Sequence, residues 1–182
     1  MPNRKMSYAI VIDMRIYLWT GNGAGKTTSA LGTAMRALGH GKKVVMVQWL
    51  KGRKDIGELK FARHLENFKI YQFGRPDFID LKKPKEIDYR LAKDAVKFTA
   101  EIVKKEKPFL VILDEFALAM AAGLVSMDDL KEILKSAPKQ TIIYITGRYA
   151  PRPLRALCDY VTEINVRKIP KKLPKAIAGI EY

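Results

Sequence analysis

Six short runs of apolar and β-branched residues recur along the chain: "RIYLWT" (15–20), "KVVMVQW" (43–49), "FKIYQF" (68–73), "FLVILD" (109–114), "TIIYIT" (141–146) and "YVTEINV" (160–166). Each predicts a β-strand. Helical patterns lie between them, clearest from Glu86 to Lys105, where Ile87, Leu91, Ala95, Phe98 and Ile102 fall at steps of four, four, three and four on one face. Strands alternating with helices predict an α/β fold, a mostly parallel sheet with helices on both faces. "VVMVQW" and "FLVILD" are nearly unbroken apolar runs, as central strands buried on both sides require. An upstream run, "YAIVIDM" (8–14), is short and contains Asp13, so it reads as a strand and not as a signal peptide. With no internal repeat, long linker or low-complexity segment, residues 1–182 are expected to form one domain.

Ligands of such folds bind at the carboxyl ends of the strands, and the first strong strand runs into "WTGNGAGKTTSALG" (19–32). This is a phosphate-binding loop in its proper setting, between a strand and a helix. Glycines let the backbone approach phosphates, Lys26 supplies positive charge, Thr27 a hydroxyl for a metal, and the helix N-terminus a favourable dipole. The spacing is unusual: counted back from Gly25-Lys26-Thr27, the first glycine of the pattern falls on Thr20, and glycine comes one residue late, at Gly21. "FLVILDEF" ends an apolar strand in Asp114 and Glu115, a pair suited to holding Mg²⁺ directly or through water. Two roles stand open for Glu115, activation of water and metal ligation. Arg148, beyond the strand "TIIYIT", lies at the same sheet edge and reads either as a sensor of phosphate charge or as half of a surface salt bridge.

The remaining reactive side chains carry less. His40 is expected in the turn ending the first helix and His64 within a charged helix, and no Cys/His cluster has metal-ligand spacing. Cys158, the only cysteine, reads as a packed thiol; it excludes an internal disulfide and suits a reducing, cytoplasmic compartment. No apolar run approaches the roughly 20 residues of a membrane span. Against 19 acidic residues stand 34 Lys and Arg, a formal charge of +15 that attracts anions. These bases are mostly scattered beside Asp and Glu. The dense run "RKIPKKLPK" (167–175) is broken by prolines, reads as an extended segment, and has no interleaved aromatics, which argues against nucleic acid as a partner.

As a set these residues resemble the ATP:corrinoid adenosyltransferases of the cobalamin pathway. The similarity spans nearly the whole chain from Tyr17: "TGNGAGKTT" with the same shortened loop, "ALGHGKKVVMVQWLKG", "VILDE", "TIIYITGR" followed by "CDYVTEI", and the ending "KAIAGIEY". The resemblance implies a RecA-like P-loop fold, a homodimer, and Mg-ATP as donor of a 5′-deoxyadenosyl group. The acceptor would be the Co(I) of cobalamin or a cobyrinic acid derivative, with inorganic triphosphate released and an electron donor such as a reduced flavoprotein. It also implies that ATP lies in the loop in reversed sense, with its 5′ carbon presented outward. On that basis Gly21, Asn22, Gly23, Ala24, Gly25, Lys26, Thr27 and Thr28 hold the triphosphate, Thr27 and Glu115 bind Mg²⁺ beside Asp114, and Arg36 and Arg148 contact the nucleotide. Co(I) is itself a strong nucleophile, so Lys26, Thr27 and Glu115 would serve alignment and leaving-group stabilisation. The family's Gly-Phe-Thr-Trp element after the third strand is altered: "FGRPDFID" keeps Phe78, expected near the corrin, with no Trp beside it. A RecA-like ATPase acting on nucleic acid and a small-molecule kinase are the rival readings of the same loop.

Overall fold

Apolar continuity along two runs fixes the centre of the sheet. All six residues of β2 (Val44–Trp49) and all five of β4 (Leu110–Asp114) are buried. Alternate side chains enter opposite layers: Val45, Val47, Val111 and Leu113 face one core, Val44, Met46, Leu110 and Ile112 the other. The computed structural model describes residues 13–77, 79–171 and 175–180. Beside β2 and β4 stand β1 (Arg15–Thr20), β3 (Phe68–Phe73), β5 (Ile142–Thr146) and β6 (Tyr160–Glu163), in the order β3-β2-β4-β5-β1-β6. Every pairing is parallel, so the sheet is the covered α/β type that the strand and helix alternation predicts. Most strands match their expected bounds to within one residue. The expected strand at 8–14 lies almost wholly outside the described residues, and Asp13 and Met14 have no regular structure.

Helix α1 (Lys26–Gly39) covers one layer through Ala30, Ala34 and Ala37, spaced at i, i+4 and i+7. Small side chains let it lie close to the sheet, where Ser29 Oγ and Tyr144 Oη hydrogen-bond at 2.9 Å. His40 caps its end as expected, its N–H donating to Ala37 O at 3.1 Å. Between β2 and β3 is the short α2 (Gly57–Ala62). His64 falls in the turn after it, not within a helix. The basic stretch beginning at Arg167 has no helix through Lys171, and 172–174 lie outside the described residues.

On the opposite layer α3 (Glu86–Glu106) has nearly its expected extent, but its buried stripe is rotated. The residues facing the core are Asp88, Ala92, Ala95, Val96, Thr99, Ala100 and Val103, whereas Ile87, Leu91, Phe98 and Ile102 flank them, half-buried. Small residues occupy the line of closest approach, and Trp49 Nε1 reaches the Ala92 carbonyl there at 3.2 Å. The larger ones fill the margin: the Phe98 ring lies 4.5 Å from Tyr71 and 5.3 Å from Phe73 of β3. Helices α4 (Phe116–Ala121), α5 (Met127–Ser136) and α6 (Arg152–Leu157) complete the described elements. Among the described residues no helix is long and apolar enough to cross a membrane.

Asp88 ties the start of α3 to the chain leaving β3. Its fully buried carboxylate accepts Arg75 Nε at 2.8 Å and the Lys85 N–H at 2.9 Å. The Arg75 hydrogen bond holds Asp88 below the usual carboxylate range, against the upward pull of burial. A depressed carboxylate contributes stability above its unfolded pKa of about 3.9, and that stability is lost as pH falls through the lower folded value. Asp88→Asn should therefore cost about 2 kcal/mol at neutral pH. In urea titrations its deficit relative to the parent should narrow as pH drops below about 4. A deficit unchanged across that range would show that the charge is not what matters.

Candidate active site

Thr20 accounts for the late glycine. It is the buried last residue of β1, its hydroxyl accepting the Ala150 N–H at 3.4 Å and its carbonyl the Ile164 N–H at 2.9 Å. Thr20 thus belongs to the strand, and the turn begins at Gly21, where φ is 97° and an added Cβ would collide with the Ile164 backbone. A second left-handed glycine, Gly25 (φ 102°), is the N-cap of α1. The segment after β6 straps the loop: Gly23 N–H donates to Ile164 O at 2.8 Å and Val166 N–H to Asn22 Oδ1 at 3.1 Å. This ends β6 at Glu163 and corrects the expected strand through 166: after the Ile164 N–H has met Thr20 of β1, the Ile164 carbonyl and the Val166 N–H serve the loop. Lys26 is only 6% exposed and folds under the loop, its ammonium donating to the Gly23 carbonyl. Burial pulls its pKa down, opposed by Glu115 and reinforced by Arg148. Ala24 and Thr28 are exposed on the loop and the first turn of α1.

Thr27 connects this loop to the acid pair. Its hydroxyl donates to Asp114 Oδ1 at 2.9 Å, and the same oxygen receives Thr146 Oγ1 at 2.7 Å. The other oxygen, Oδ2, receives Lys51 Nζ at 2.6 Å and Gln48 Nε2 at 3.2 Å. Lys51 also donates to Thr27 Oγ1 at 3.1 Å. Burial pushes Asp114 up, but the Lys51 charge and the hydroxyl donors outweigh it and hold the carboxyl below the usual range. Lys51 is raised in turn, Asp114 overcoming the effect of burial. Gln48 is pinned from behind, since Gln72 Nε2 donates to its Oε1 at 3.0 Å and its own amide also reaches Glu58 at 3.3 Å.

Glu115 lies in a different environment. Its N–H donates to Thr146 Oγ1 at 3.0 Å, yet its Oε2 is buried without a hydrogen-bond partner among the described residues. Burial raises its pKa, and neighbouring Asp114 adds to the rise against Lys51, Lys26 and Arg148. Its backbone is left-handed (φ 60°), as are Leu50 (φ 62°) just beyond β2 and Tyr149 (φ 57°) beyond β5. Among the described residues, three of the four non-glycine residues with positive φ therefore stand past the carboxyl ends of β2, β4 and β5, and such strain concentrates at functional edges. Two open cavities meet there. One, of about 400 Å³, is bordered by Lys51, Ile56, Arg75, Ile79 and Glu115. The other, of about 520 Å³, runs beside α1 past Thr27, Leu31, Met35, Lys51 and Phe61.

The family described as ATP:corrinoid adenosyltransferase BtuR/CobO/CobP matches residues 13–182. The corrinoid adenosyltransferase of Escherichia coli (strain K12) is 33% identical over 169 residues, 92% of this chain and 85% of that one. That of Pseudomonas aeruginosa is 33% identical over 164 residues, covering 90% and 81%. The corrinoid adenosyltransferase CobA of Salmonella typhimurium is 32% identical over 169 residues, covering 92% and 85%. The chain belongs to the ATP:corrinoid adenosyltransferase family.

In this adenosyltransferase the fold gathers Gly21 to Thr28, Asp114 and Glu115 at one edge, with Arg148 close enough to influence both Lys26 and Glu115. Arg148 is exposed and takes part in no ion pair among the described residues. Arg36 is not brought to the loop. It is exposed in the last turn of α1, ten residues and about 15 Å along the axis from Lys26 at the rise of a helix. Phe78 lies outside the described residues. Gln48 and Lys51 were absent from the sequence-based expectations. A glutamine inside an otherwise apolar central strand, and a lysine just past that strand's carboxyl end, are the signal that could have found them, because buried polar groups need partners.

Cys158 is away from this chemistry, half-buried against the core. Burial, and then Asp159, push its thiol up from 9.0 to about 11, leaving about a hundredfold less thiolate at neutral pH. Iodoacetamide labelling followed by mass spectrometry should accordingly be slower than that of a free thiol by about that factor. Labelling as fast as the free thiol would contradict a packed role.

Proposed function

We propose that the protein transfers the 5′-deoxyadenosyl group of ATP to the Co(I) of a corrinoid and releases inorganic triphosphate. The observation that carries this reading is the hydrogen bond from Thr27 of the phosphate loop to Asp114, the residue before Glu115, in a chain of this family. In the proposed reaction a cobalt–carbon bond forms at C5′, the C5′–O5′ bond breaks, and its electron pair leaves on the triphosphate. Lys26 and the N-terminus of α1 stabilise that charge, and Gly21 to Gly25 let the backbone N–H groups approach it. Arg148, close enough to influence Lys26 and in no ion pair among the described residues, supplies further positive charge. Turning the 5′ carbon outward would set it at the mouth of the 400 Å³ cavity, which is bounded by Asp77 and Ile79 on either side of Phe78. The proposal therefore places a corrin face there.

Thr27, Asp114 and Glu115 form an all-oxygen set suited to a hard divalent cation, and the unpartnered buried Oε2 of Glu115 supports such a fit. Mg²⁺ bound by these residues would neutralise triphosphate charge in the leaving group. We further propose a cytoplasmic homodimer served by a reductant such as a reduced flavoprotein. Met35 (68% exposed) and Phe61 (55% exposed), beside the second cavity, supply apolar surface for association.

Anaerobic incubation with Mg-ATP and chemically reduced cobalamin tests the reading. It should yield a light-sensitive alkylcobalamin spectrum and, by phosphorus NMR, triphosphate in equal amount. Lys26→Ala should lower the rate by about a hundredfold or more. Stoichiometric ADP, or orthophosphate release stimulated by nucleic acid, would transfer the assignment to a kinase or an ATPase.

A further inference from the structure

The position between Thr27 and Asp114 already holds a cation, the ammonium of Lys51. Its Nζ is 2.6 Å from Asp114 Oδ2 and 3.1 Å from Thr27 Oγ1. The fold builds this placement. Left-handed Leu50 turns the chain as it leaves β2, and the Gly74 backbone packs on Leu50 and Lys51 so closely that a Cβ at Gly74 would collide with both. Gln48, in register with Asp114 across β2 and β4, shares the same carboxylate oxygen. Asp114 is thus supplied with protein donors on both oxygens, while the adjoining Oε2 of Glu115 has none among the described residues.

A divalent cation held by Thr27 and Glu115 would stand within a few ångströms of Lys51, and like charges at that range repel strongly where the effective dielectric is low. A polyphosphate changes the balance, because its oxygens give the ammonium another set of acceptors. Lys51 is able to respond: its side chain is 28% exposed, borders both cavities and ends a flexible four-carbon stem. We infer that Lys51 is an internal counter-ion that guards the metal position, closing the Thr27–Asp114 pair to a free divalent cation and releasing it to a cation that arrives with a polyphosphate. Metal binding is thereby ordered, with the nucleotide and not before it. The inference rests on the proposed function only for the identity of the polyphosphate; the guard itself belongs to the protein alone.

The test is Mn²⁺ binding to the full-length protein without nucleotide or corrinoid, read by electron paramagnetic resonance, for the parent, Lys51→Met and Lys51→Arg. Lys51→Met should bind Mn²⁺ at least about tenfold more tightly than the parent, and Lys51→Arg, which keeps the charge, should stay close to the parent. Thermal melts give a second readout. Without metal Lys51→Met should melt below the parent, since Asp114 loses its buried partner, and Mn²⁺ should raise its Tm by more than it raises the parent's. Unchanged Mn²⁺ affinity in Lys51→Met, equal tightening in Lys51→Arg, or an unstable Lys51→Met that Mn²⁺ does not restore would each overturn the guard. Failure of adenosyl transfer with the expected Mn²⁺ result would instead remove the proposed function and leave the guard standing.

Discussion

A single buried carboxylate, that of Asp114, has to remain ionised in the centre of the sheet, and the arrangement of the carboxyl edge follows from how this is done. An unpaired charge there would carry a heavy desolvation cost. Lys51 answers it with a charge, and Thr27, Thr146 and Gln48 with hydrogen bonds. Those partners come from the segment beyond β2, from α1, from β5 and from β2 itself. One ionised group thereby fixes the phosphate loop, the acid pair and the loop after β2 relative to one another. Loss of any donor would leave buried lone pairs short, which makes the arrangement cooperative.

Glu115, the very next residue, is treated in the opposite way. Asp114 is saturated with donors and held below the usual carboxylate range, whereas Glu115 has an unpartnered buried oxygen and is pushed upward. Two adjacent acids thus differ, one held by protein donors on both oxygens and one with an oxygen left available. The division coincides with a change of backbone, which is strand through Asp114 and left-handed at Glu115. On the other side of Thr27, the strap from Ile164 and Val166 shapes the glycine loop, so that the end of the sheet and the phosphate cradle are closed by the same segment.

Much of this was legible in the residues. Nearly unbroken apolar runs marked β2 and β4 as central, and alternation of strand and helix gave a parallel sheet. The glycine loop between strand and helix, with an acid pair ending another strand, pointed to the carboxyl edge at which the fold gathers them. What escaped depended on contacts between segments distant in sequence. Periodicity gave the length of α3 but misjudged its buried line, because close packing put alanines at the contact and left Ile87 and Phe98 at its margin. Glycine counting could not say why Thr20 stands where it does, since its partners, Ala150 and Ile164, lie more than a hundred residues away. Lys51 read as one basic residue among 34, and only the fold brings it to Asp114. Arg36, by contrast, shared the family's pattern yet is carried to the far end of α1.

The proposed reaction delivers the adenosyl carbon by breaking the C5′–O5′ bond, which leaves all three phosphates intact. The most direct measurement is the fate of ATP carrying ¹⁸O at the bridging 5′ oxygen, followed by mass spectrometry of the products formed with a reduced corrinoid. The label should leave quantitatively with the inorganic triphosphate, and the adenosylated corrinoid should carry none. Label recovered in ADP, or retained on the adenosyl group, would contradict it.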